Sequence, residues 1–347
     1  MSDMWRNGKF FSLIMSIYVC VIIISSLFLG TTFAQQSEFD AITVHVWVNG
    51  DVHIGVDCYV VELPFQLPYF PSIMGSNYLW LQYYVDDEKL NCFLRLHLDS
   101  RSETEVDDYA YKVKEILENW LGMKFEFSAR IPRSFSTPRG LIRWIDYNFT
   151  ASGFNPDVIL DKFLALKPEE GWMVLINRQV LSSGDKIWLW VYPGIRFGRL
   201  YFSKKFRNVF NFKVGNTYTL DIFKLFNFTS SIEIKRKSEV EITLLYYGHG
   251  PNKIYSNLQA ELVDVELPFE YKVGVALHEE NPPGVNIGTF GELTGNVVVD
   301  YMRITFKIVE YGFKPPSSSL YIIIGWLIVI IVVTCIISLI LVKQKRK

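Results

Sequence analysis

Apolar and polar residues alternate along residues 41–61, on both sides of an Asn-Gly pair. Such alternation indicates strands with one buried face, and Asn-Gly between two alternating runs is a strong hairpin signal. A three-residue loop at Asn49–Asp51 aligns the apolar residues of both runs, including Cys58, on one face. Residues 91–99 alternate in the same way and place Cys92 on the apolar side. The pattern predicts an antiparallel sheet with one face in a core.

A helical pattern follows the third strand. Apolar residues recur at spacings of three and four along residues 106–121, which predicts a helix with one apolar stripe. Ser102 and Glu105 are spaced as a capping box, and Gly122 is a natural helix end. We therefore expect one long helix to cover the apolar face of the sheet.

The fold class follows from these elements. A sheet face and a helix stripe that must both be buried predict a two-layer α+β domain over residues 35–168. Two shorter helices are expected where a proline follows Thr137 and Asn155. Residues 169–314 show short runs of strand composition between turn residues, without a helical period. That stretch predicts a second, all-β domain, a jelly-roll-like sandwich of eight to ten strands.

The two ends of the chain read as targeting segments. Residues 1–34 have the basic start, apolar run and small residues of a signal peptide, with an uncleaved signal anchor as the alternative. Residues 320–342 carry no charge and, as a helix, would extend about 34 Å, which is enough to span a bilayer. Residues 315–319 form a short stalk, and residues 343–347 a basic tail typical of the cytoplasmic side. The sequence predicts a single-pass protein of the cell membrane with an extracellular domain.

Composition narrows the classes of function. The net charge is −1, so there is no basic excess for binding nucleic acid. Half of the residues are apolar, which excludes a disordered chain. The sequence contains none of the zinc-protease, serine-hydrolase or nucleotide-binding signatures, and we expect no cofactor.

Cysteines and sequons agree with an extracellular location. Cys58 and Cys92 are the two cysteines outside the apolar ends, and an oxidising compartment favours a disulfide between them. The triplets that begin at Asn148 and Asn227 are acceptor sequences for N-glycosylation on an exposed surface.

One resemblance adds to this picture. Residues 295–304 (GNVVVDYMRI) follow the order hydrophobic, Asp, aromatic, hydrophobic, Arg, hydrophobic. This resembles the last strand of concanavalin A-like jelly rolls, which include laminin-G-like domains and related glucanases, and residues 271–276 are similar to the strand that often precedes it. The resemblance implies a β-sandwich and, in many members, binding of carbohydrate or protein.

Three carboxylates are candidates for catalysis. Glu261, Asp264 and Glu266 approach the alternating acidic pattern of the glucanase branch, although Asp264 comes one position late. A bulge could bring all three to one face, where two carboxylates could serve as acid and nucleophile. The alternative is a solvated outer face of a strand, and no catalytic residue is assigned.

Histidines suggest a metal site. With the three-residue loop, His45, His53 and Asp57 project from the polar face of the hairpin, and His97 projects from the polar face of the third strand. Imidazole and carboxylate groups at that spacing can hold Zn²⁺ or another divalent ion. The alternative is an ordinary polar sheet face.

The strand at residues 187–192 is apolar on both sides. Trp188, Trp190 and Tyr192 share one side, and a sandwich strand has only one core face. We interpret the three rings as a ligand-binding platform, with burial under a loop or another domain as the alternative.

The function favoured by these features is that of a non-enzymatic surface module. Its ligand would be a glycan, an envelope component or another surface protein. Two alternatives remain open: an anchored hydrolase that acts on extracellular polysaccharide, and a receptor that depends on a divalent metal.

Overall fold

The computed structural model describes residues 40–72, 76–138, 140–248, 254, 256–276, 284–288, 293 and 296–311. These residues are mostly β-structure. The strands are β1 (Asp40–Trp47), β2 (Val52–Glu62), β3 (Tyr78–Tyr84), β4 (Lys89–His97), β5 (Glu126–Thr137), β6 (Gly140–Ser152), β7 (Lys186–Val191), β8 (Phe197–Phe206), β9 (Thr217–Asp221), β10 (Ile232–Ile234), β11 (Ser238–Tyr246), β12 (Leu258–Glu266), β13 (Lys272–Ala276), β14 (Gly284–Gly288), β15 (Val297–Val299) and β16 (Arg303–Glu310). The helices are α1 (Glu103–Leu121), α2 (Pro156–Leu164) and α3 (Ile222–Leu225), and a 3-10 helix spans Trp172–Leu175.

One large sheet organises the molecule. Its strand order is β13-β14-β11-β1-β2-β8-β7-β3-β4-β6-β5, with β1 and β11 parallel and the other neighbours antiparallel. Strands β12, β16 and β9 form a second sheet, and β10 pairs with β15. The hairpin of β7 and β8 lies between β2 and β3, so strands from both halves of the sequence alternate in one sheet.

The core lies against one face of the large sheet. Helix α1 packs on β4 and β6, the 3-10 helix packs on β1 and β2, and β12 packs on β11 and β14. The ring of Phe163 in α2 stacks on that of Tyr83 in β3, with centroids 6.2 Å apart. Helices and small sheets thus cover this face in succession, and their apolar side chains form one cluster.

The predicted hairpin has its apolar face as expected. Ile42, Val44 and Val46 in β1 and the alternate residues of β2 are fully buried. The pairing differs from the prediction, because Val46 lies opposite Val52 and His45 lies opposite His53. The turn is centred on Asn49, one position earlier than expected. Each residue of β1 therefore pairs with a residue of β2 two positions away from the predicted partner. Because side chains alternate with a period of two, every side chain stays on its predicted face.

Helix α1 confirms the periodicity argument. Ser102 caps its start in a capping box with Glu105, and Gly122 ends it with a φ of 73°. Helix α2 also starts as predicted, with Asn155 as its N-cap. The helix predicted after Thr137 is wrong, because β5 ends there and pairs with β6 through a tight turn.

The predicted fold class, an α+β domain followed by a separate jelly roll, is wrong. Five strands from the second half of the chain are hydrogen-bonded into the same sheet as β1 to β6. The sequence shows which residues form strands but not which strands pair, and here the pairing crosses the expected division. Sandwich-like packing exists locally, where the three-stranded sheet covers β11 and β14.

The segment that resembles a jelly-roll strand is divided. Residues 297–299 form β15, which pairs with β10, whereas Arg303 begins β16 in the three-stranded sheet. Residues 272–276 form β13 at the edge of the large sheet. The resemblance therefore does not describe one strand of one sheet.

The predicted membrane-spanning helix receives no support. Among the described residues, no helix is long and apolar enough to cross a bilayer. The predicted segments 1–34, 315–319, 320–342 and 343–347 lie outside the residues that the structure describes.

The predicted disulfide is wrong. Cys58 and Cys92 are both free and buried. They lie in β2 and β4, which are separated by β8, β7 and β3. Four interstrand spacings amount to roughly 19 Å, whereas a disulfide requires Cα atoms within about 7 Å. The prediction assumed that the two strands were neighbours.

We predict that both thiols resist alkylation until the sheet unfolds. Burial raises the pKa of the Cys58 thiol to about 12 and that of Cys92 well above its usual value. Little thiolate is then available, and access is closed as well. Iodoacetamide should label neither cysteine at pH 8 in buffer and both in 6 M urea, as read by peptide mass spectrometry. A peptide pair cross-linked through Cys58 and Cys92 in a non-reducing digest would contradict the structure.

Candidate ligand-binding site

The second face of the large sheet carries a layer of aromatic rings. Cross-strand neighbours on this face place Trp190 beside Trp80 and Trp188 beside Tyr201. We call this surface the aromatic face; its rings, all half-buried, are Trp47, Tyr78, Trp80, Phe93, Trp144, Trp188, Trp190, Tyr201 and Tyr246. The main contacts between described elements place the helices and the small sheets on the other face. An uncovered aromatic layer of this extent marks an interaction surface.

The rings pack against one another rather than standing separately. Trp80 and Trp190 stack with centroids 5.2 Å apart and an interplanar angle of 8°. Trp188 meets Trp80 edge-on at 5.6 Å and contacts Tyr201 at 5.1 Å. Such ring pairs add about 0.5–1.5 kcal/mol beyond the burial of area. The layer is therefore preorganised and need not order itself when a ligand binds.

Two arginines on this face form ion pairs with carboxylates. Arg95 donates from Nε to Asp146 at 2.7 Å and from Nη2 at 3.1 Å. Arg199 in β8 donates from Nε to Asp57 in β2 at 2.9 Å, with a second bond from Nη2. The hydrogen bonds to Asp57 raise the pKa of Arg199, and those to Asp146 raise the pKa of Arg95. Both guanidinium groups are thus paired with buried carboxylates.

Arg95 also connects the aromatic rings. Its guanidinium carbon lies 5.5 Å from the ring centroids of Tyr78 and Phe93 and 5.3 Å from that of Trp144. Cation–π contacts of this kind contribute about 0.5–2 kcal/mol each. Asp146 is only 2% exposed, and its ion pair therefore fixes the position of Arg95, whose guanidinium contacts all three rings.

A groove of about 350 Å³ opens in the aromatic face. We define the groove by its aromatic walls, Trp80 and Phe93, and by the polar side chains of Gln82, Asn91, Ser128, Asn148 and Thr150. All five polar groups are uncharged. Gln82 donates to the hydroxyl of Tyr84 at 2.7 Å. The side chains of Asn91, Asn148 and Thr150 make no hydrogen bond to another described residue, so they can bond a ligand.

The sequence pattern indicated part of this surface. It predicted Trp188, Trp190 and Tyr192 as a platform, and all three are half-buried, the two tryptophans within the aromatic face. It missed Trp80 and Phe93. A usable signal was present in β3, where Leu79 and Leu81 alternate with aromatic residues, which makes that strand apolar on both sides as well. The role of Trp188, Trp190 and Tyr192 in binding stays a prediction.

The histidine cluster does not form a metal site. Within the described ranges, no group of three or more His, Cys, Asp or Glu residues is arranged to hold a metal ion. Asp57 is engaged by Arg199, His45 stacks on Tyr246 at 4.2 Å, and His53 contacts Trp47. His97 lies four strands away from this hairpin, next to Asn77.

The acidic strand has the bulge that its sequence required. A register shift after Leu262 brings Glu261, Asp264 and Glu266 to one face of β12, because their partners in β16 alternate. All three carboxylates are exposed to solvent, and Glu266 pairs with Arg303 at 3.3 Å. Three solvent-exposed carboxylates on an open strand face do not provide the protected acid and nucleophile that glycoside hydrolysis needs. No catalytic role is assigned to them.

The two glycosylation candidates lie in different surroundings. Asn148 is in β6, half-buried in the groove, whereas Asn227 is exposed in a turn with a φ of 50°. Modification of either side chain stays a prediction.

Comparisons with known proteins give no relationship for this chain. No protein-family model matches it, and no curated protein matches it.

We predict that His53 makes stability depend on pH. Burial, reinforced by the charge of Lys205, lowers the pKa of His53 from 6.5 to about 4 in the folded protein. Between these two values the unfolded chain binds a proton that the folded chain does not, so the free energy of unfolding falls as pH falls through this window. After allowance for solvent screening, we expect a loss of about 1 kcal/mol between pH 7 and pH 4.5.

Urea unfolding of wild type and His53→Gln at both pH values measures this effect. The variant should lose less stability than the wild type on acidification. Burial also lowers the pKa of His97, which remains in both proteins and cancels in the difference. Equal losses in the two proteins would refute the assignment to His53.

Proposed function

We propose that this chain is a binding protein whose groove takes a segment of a neutral oligosaccharide or polysaccharide. The observation that carries the proposal is the composition of the groove: aromatic walls and polar side chains that are all uncharged, Gln82, Asn91, Ser128, Asn148 and Thr150. A sugar ring presents C–H groups on its faces and hydroxyl groups around its rim. Aromatic surfaces accommodate the former, and amide and hydroxyl groups bond the latter.

Electrostatics support a neutral ligand. The two guanidinium groups on the aromatic face are engaged by carboxylates, since Arg95 bonds Asp146 and Arg199 bonds Asp57. Lys186, which lies over the ring of Trp188, is outside the groove, and the described residues that line the groove itself are all uncharged. Extraction of a guanidinium from such a pair would leave a buried carboxylate without its partner, which is strongly unfavourable. An anionic ligand therefore gains little here, whereas a neutral polyol disturbs neither pair.

The size and openness of the site support an extended ligand. The groove is of the volume expected for a small-ligand site. The aromatic face continues beyond it through Trp190, Trp188 and Tyr201. A polymer bound in the groove would find further ring surface along its length.

Asn148 links the proposal to glycosylation. Its side chain is part of the groove. A glycan attached there would occupy the same space as a free ligand, so modification of Asn148 and ligand binding would exclude each other.

We predict that the double variant Asn91→Ala, Thr150→Ala weakens oligosaccharide binding by at least about fivefold. Two lost hydrogen bonds, at about 0.5–1.5 kcal/mol each, account for that factor. The probes are neutral hexasaccharides of glucose, mannose, xylose and N-acetylglucosamine, titrated calorimetrically into the full chain produced without glycosylation, because Thr150→Ala also removes the sequon of Asn148. Neither substitution removes a ring or a buried atom cluster, so the melting temperature should be unchanged.

The matched control is Asn216→Ala, Thr217→Ala, which removes the same groups from the exposed turn at the start of β9. The control should bind as wild type does. Failure of all four probes at millimolar concentration, or equal affinity of both double variants, would refute the proposal. If the wild type binds a protein partner and the Asn91→Ala, Thr150→Ala variant does not, the groove recognises a protein instead.

A further inference from the structure

A second cavity, a cleft of about 670 Å³, lies apart from the groove and shares no residue with it. The end of β2, the end of α1 and the segment after α2 form its walls. Leu63, Trp120 and Leu166 give it an apolar side. Its volume is that of a site for a small organic molecule.

The cleft carries an excess of positive charge. Six charged side chains line it: the cations Lys162, Lys167, Arg196 and Arg236, and the carboxylates Glu62 and Glu169. Four cations against two carboxylates leave an excess of two positive charges. The chain as a whole has a net charge of −1, so this excess is local.

Three of the four cations form no close ion pair with a described carboxylate, although Arg236 is near enough to Asp40 to act on the pKa of that carboxyl group. Arg196 lies 3.7 Å from Glu62. In the described part of the chain, Lys162, Lys167 and Arg236 have no carboxylate oxygen within 4.0 Å. This contrasts with the aromatic face, where every guanidinium described above is paired.

Backbone carbonyls hold two of these cations in position. Arg236 donates from Nη1 to the carbonyl oxygen of Val60 at 2.7 Å, and Lys167 donates from Nζ to that of Ile176 at 2.7 Å. A carbonyl dipole orients a cation but does not neutralise it. Burial lowers the pKa of Lys167, which reflects the cost of its uncompensated charge. An anion in the cleft would compensate it.

We propose that this cleft binds a small organic polyanion that carries an apolar ring. The ring lies against Trp120 and its aliphatic neighbours, and the negative groups meet the unpaired cations. The ligand class thus differs from that of the groove in charge, and the two sites can be occupied at the same time.

Benzene-1,3,5-tricarboxylate is a suitable probe, because it combines a flat ring with three carboxylates. Citrate matches its charge without a ring, and benzyl alcohol matches the ring without charge. Calorimetric titration of the full chain at 50 mM salt should give the tricarboxylate an affinity at least tenfold above that of either comparison compound. The affinity should fall as salt is raised, because charge attraction is screened.

Two variants locate the site. Lys162→Gln removes a cation that makes no hydrogen bond to another described residue, and it should weaken the tricarboxylate about fivefold. Glu62→Gln removes an opposing charge and frees Arg196, so it should tighten binding about threefold. A gain of affinity cannot arise from a loss of folded protein. The matched control is Lys112→Gln, a cation on the exposed side of α1, which should change nothing.

Equal binding of citrate and the tricarboxylate, or equal weakening by Lys162→Gln and Lys112→Gln, would overturn the proposal and leave only diffuse surface charge. Failure of Glu62→Gln to tighten binding would overturn it as well.

Discussion

The pairing of β2 with β8 is the constraint on which the rest of this structure depends. It inserts the β7–β8 hairpin between strands from the first half of the chain and turns two sets of strands into one sheet. The ion pair between Asp57 and Arg199 spans the same junction on the aromatic face. Because of this insertion, Trp188 and Trp190 lie beside Trp80, and the groove has a continuous aromatic layer next to it.

The two proposed sites differ because of how their cations are used. On the aromatic face the guanidinium groups of Arg95 and Arg199 are bound to carboxylates, and the groove itself is lined by uncharged residues. In the cleft, Lys162 and Arg236 face the cavity without such partners. Basic side chains therefore stabilise the fold through ion pairs on the aromatic face, whereas in the cleft they are available to bind an anion. The affinity of the cleft for its ligand would fall as salt is raised, whereas that of the groove would change little.

Local structure was predictable from the sequence where a pattern is read within a few residues. The buried face of β1 and β2, the capping box of α1 and the start of α2 all follow from spacing alone. The helix expected after Thr137 failed because a Thr-Pro pair suits a hairpin turn as well as a helix start.

Strand order was not predictable, because partners in this sheet are distant in the sequence. Cys58 and Cys92 were expected to be bonded on the assumption that their strands were adjacent, and three strands separate them. The groove could not be predicted from the sequence for the same reason, because Asn91 and Thr150 lie opposite one another only through the pairing of β4 with β6. The double-sided apolar character of β7 did reveal part of the aromatic face, since that signal is contained within one strand.

The order of synthesis gives the parallel pairing of β1 and β11 a further consequence. About 190 residues of chain separate β1 from β11, and a ribosome that adds 5–20 residues per second needs about 10–40 s to make them. During that interval the β1–β2 hairpin has left the ribosome with both of its outer edges unpaired, since β8 also comes later. A nascent chain with two open, valine-rich edges is a substrate for chaperones that shield hydrophobic strands. We therefore expect the first hairpin to need protection until β11 has emerged from the ribosome.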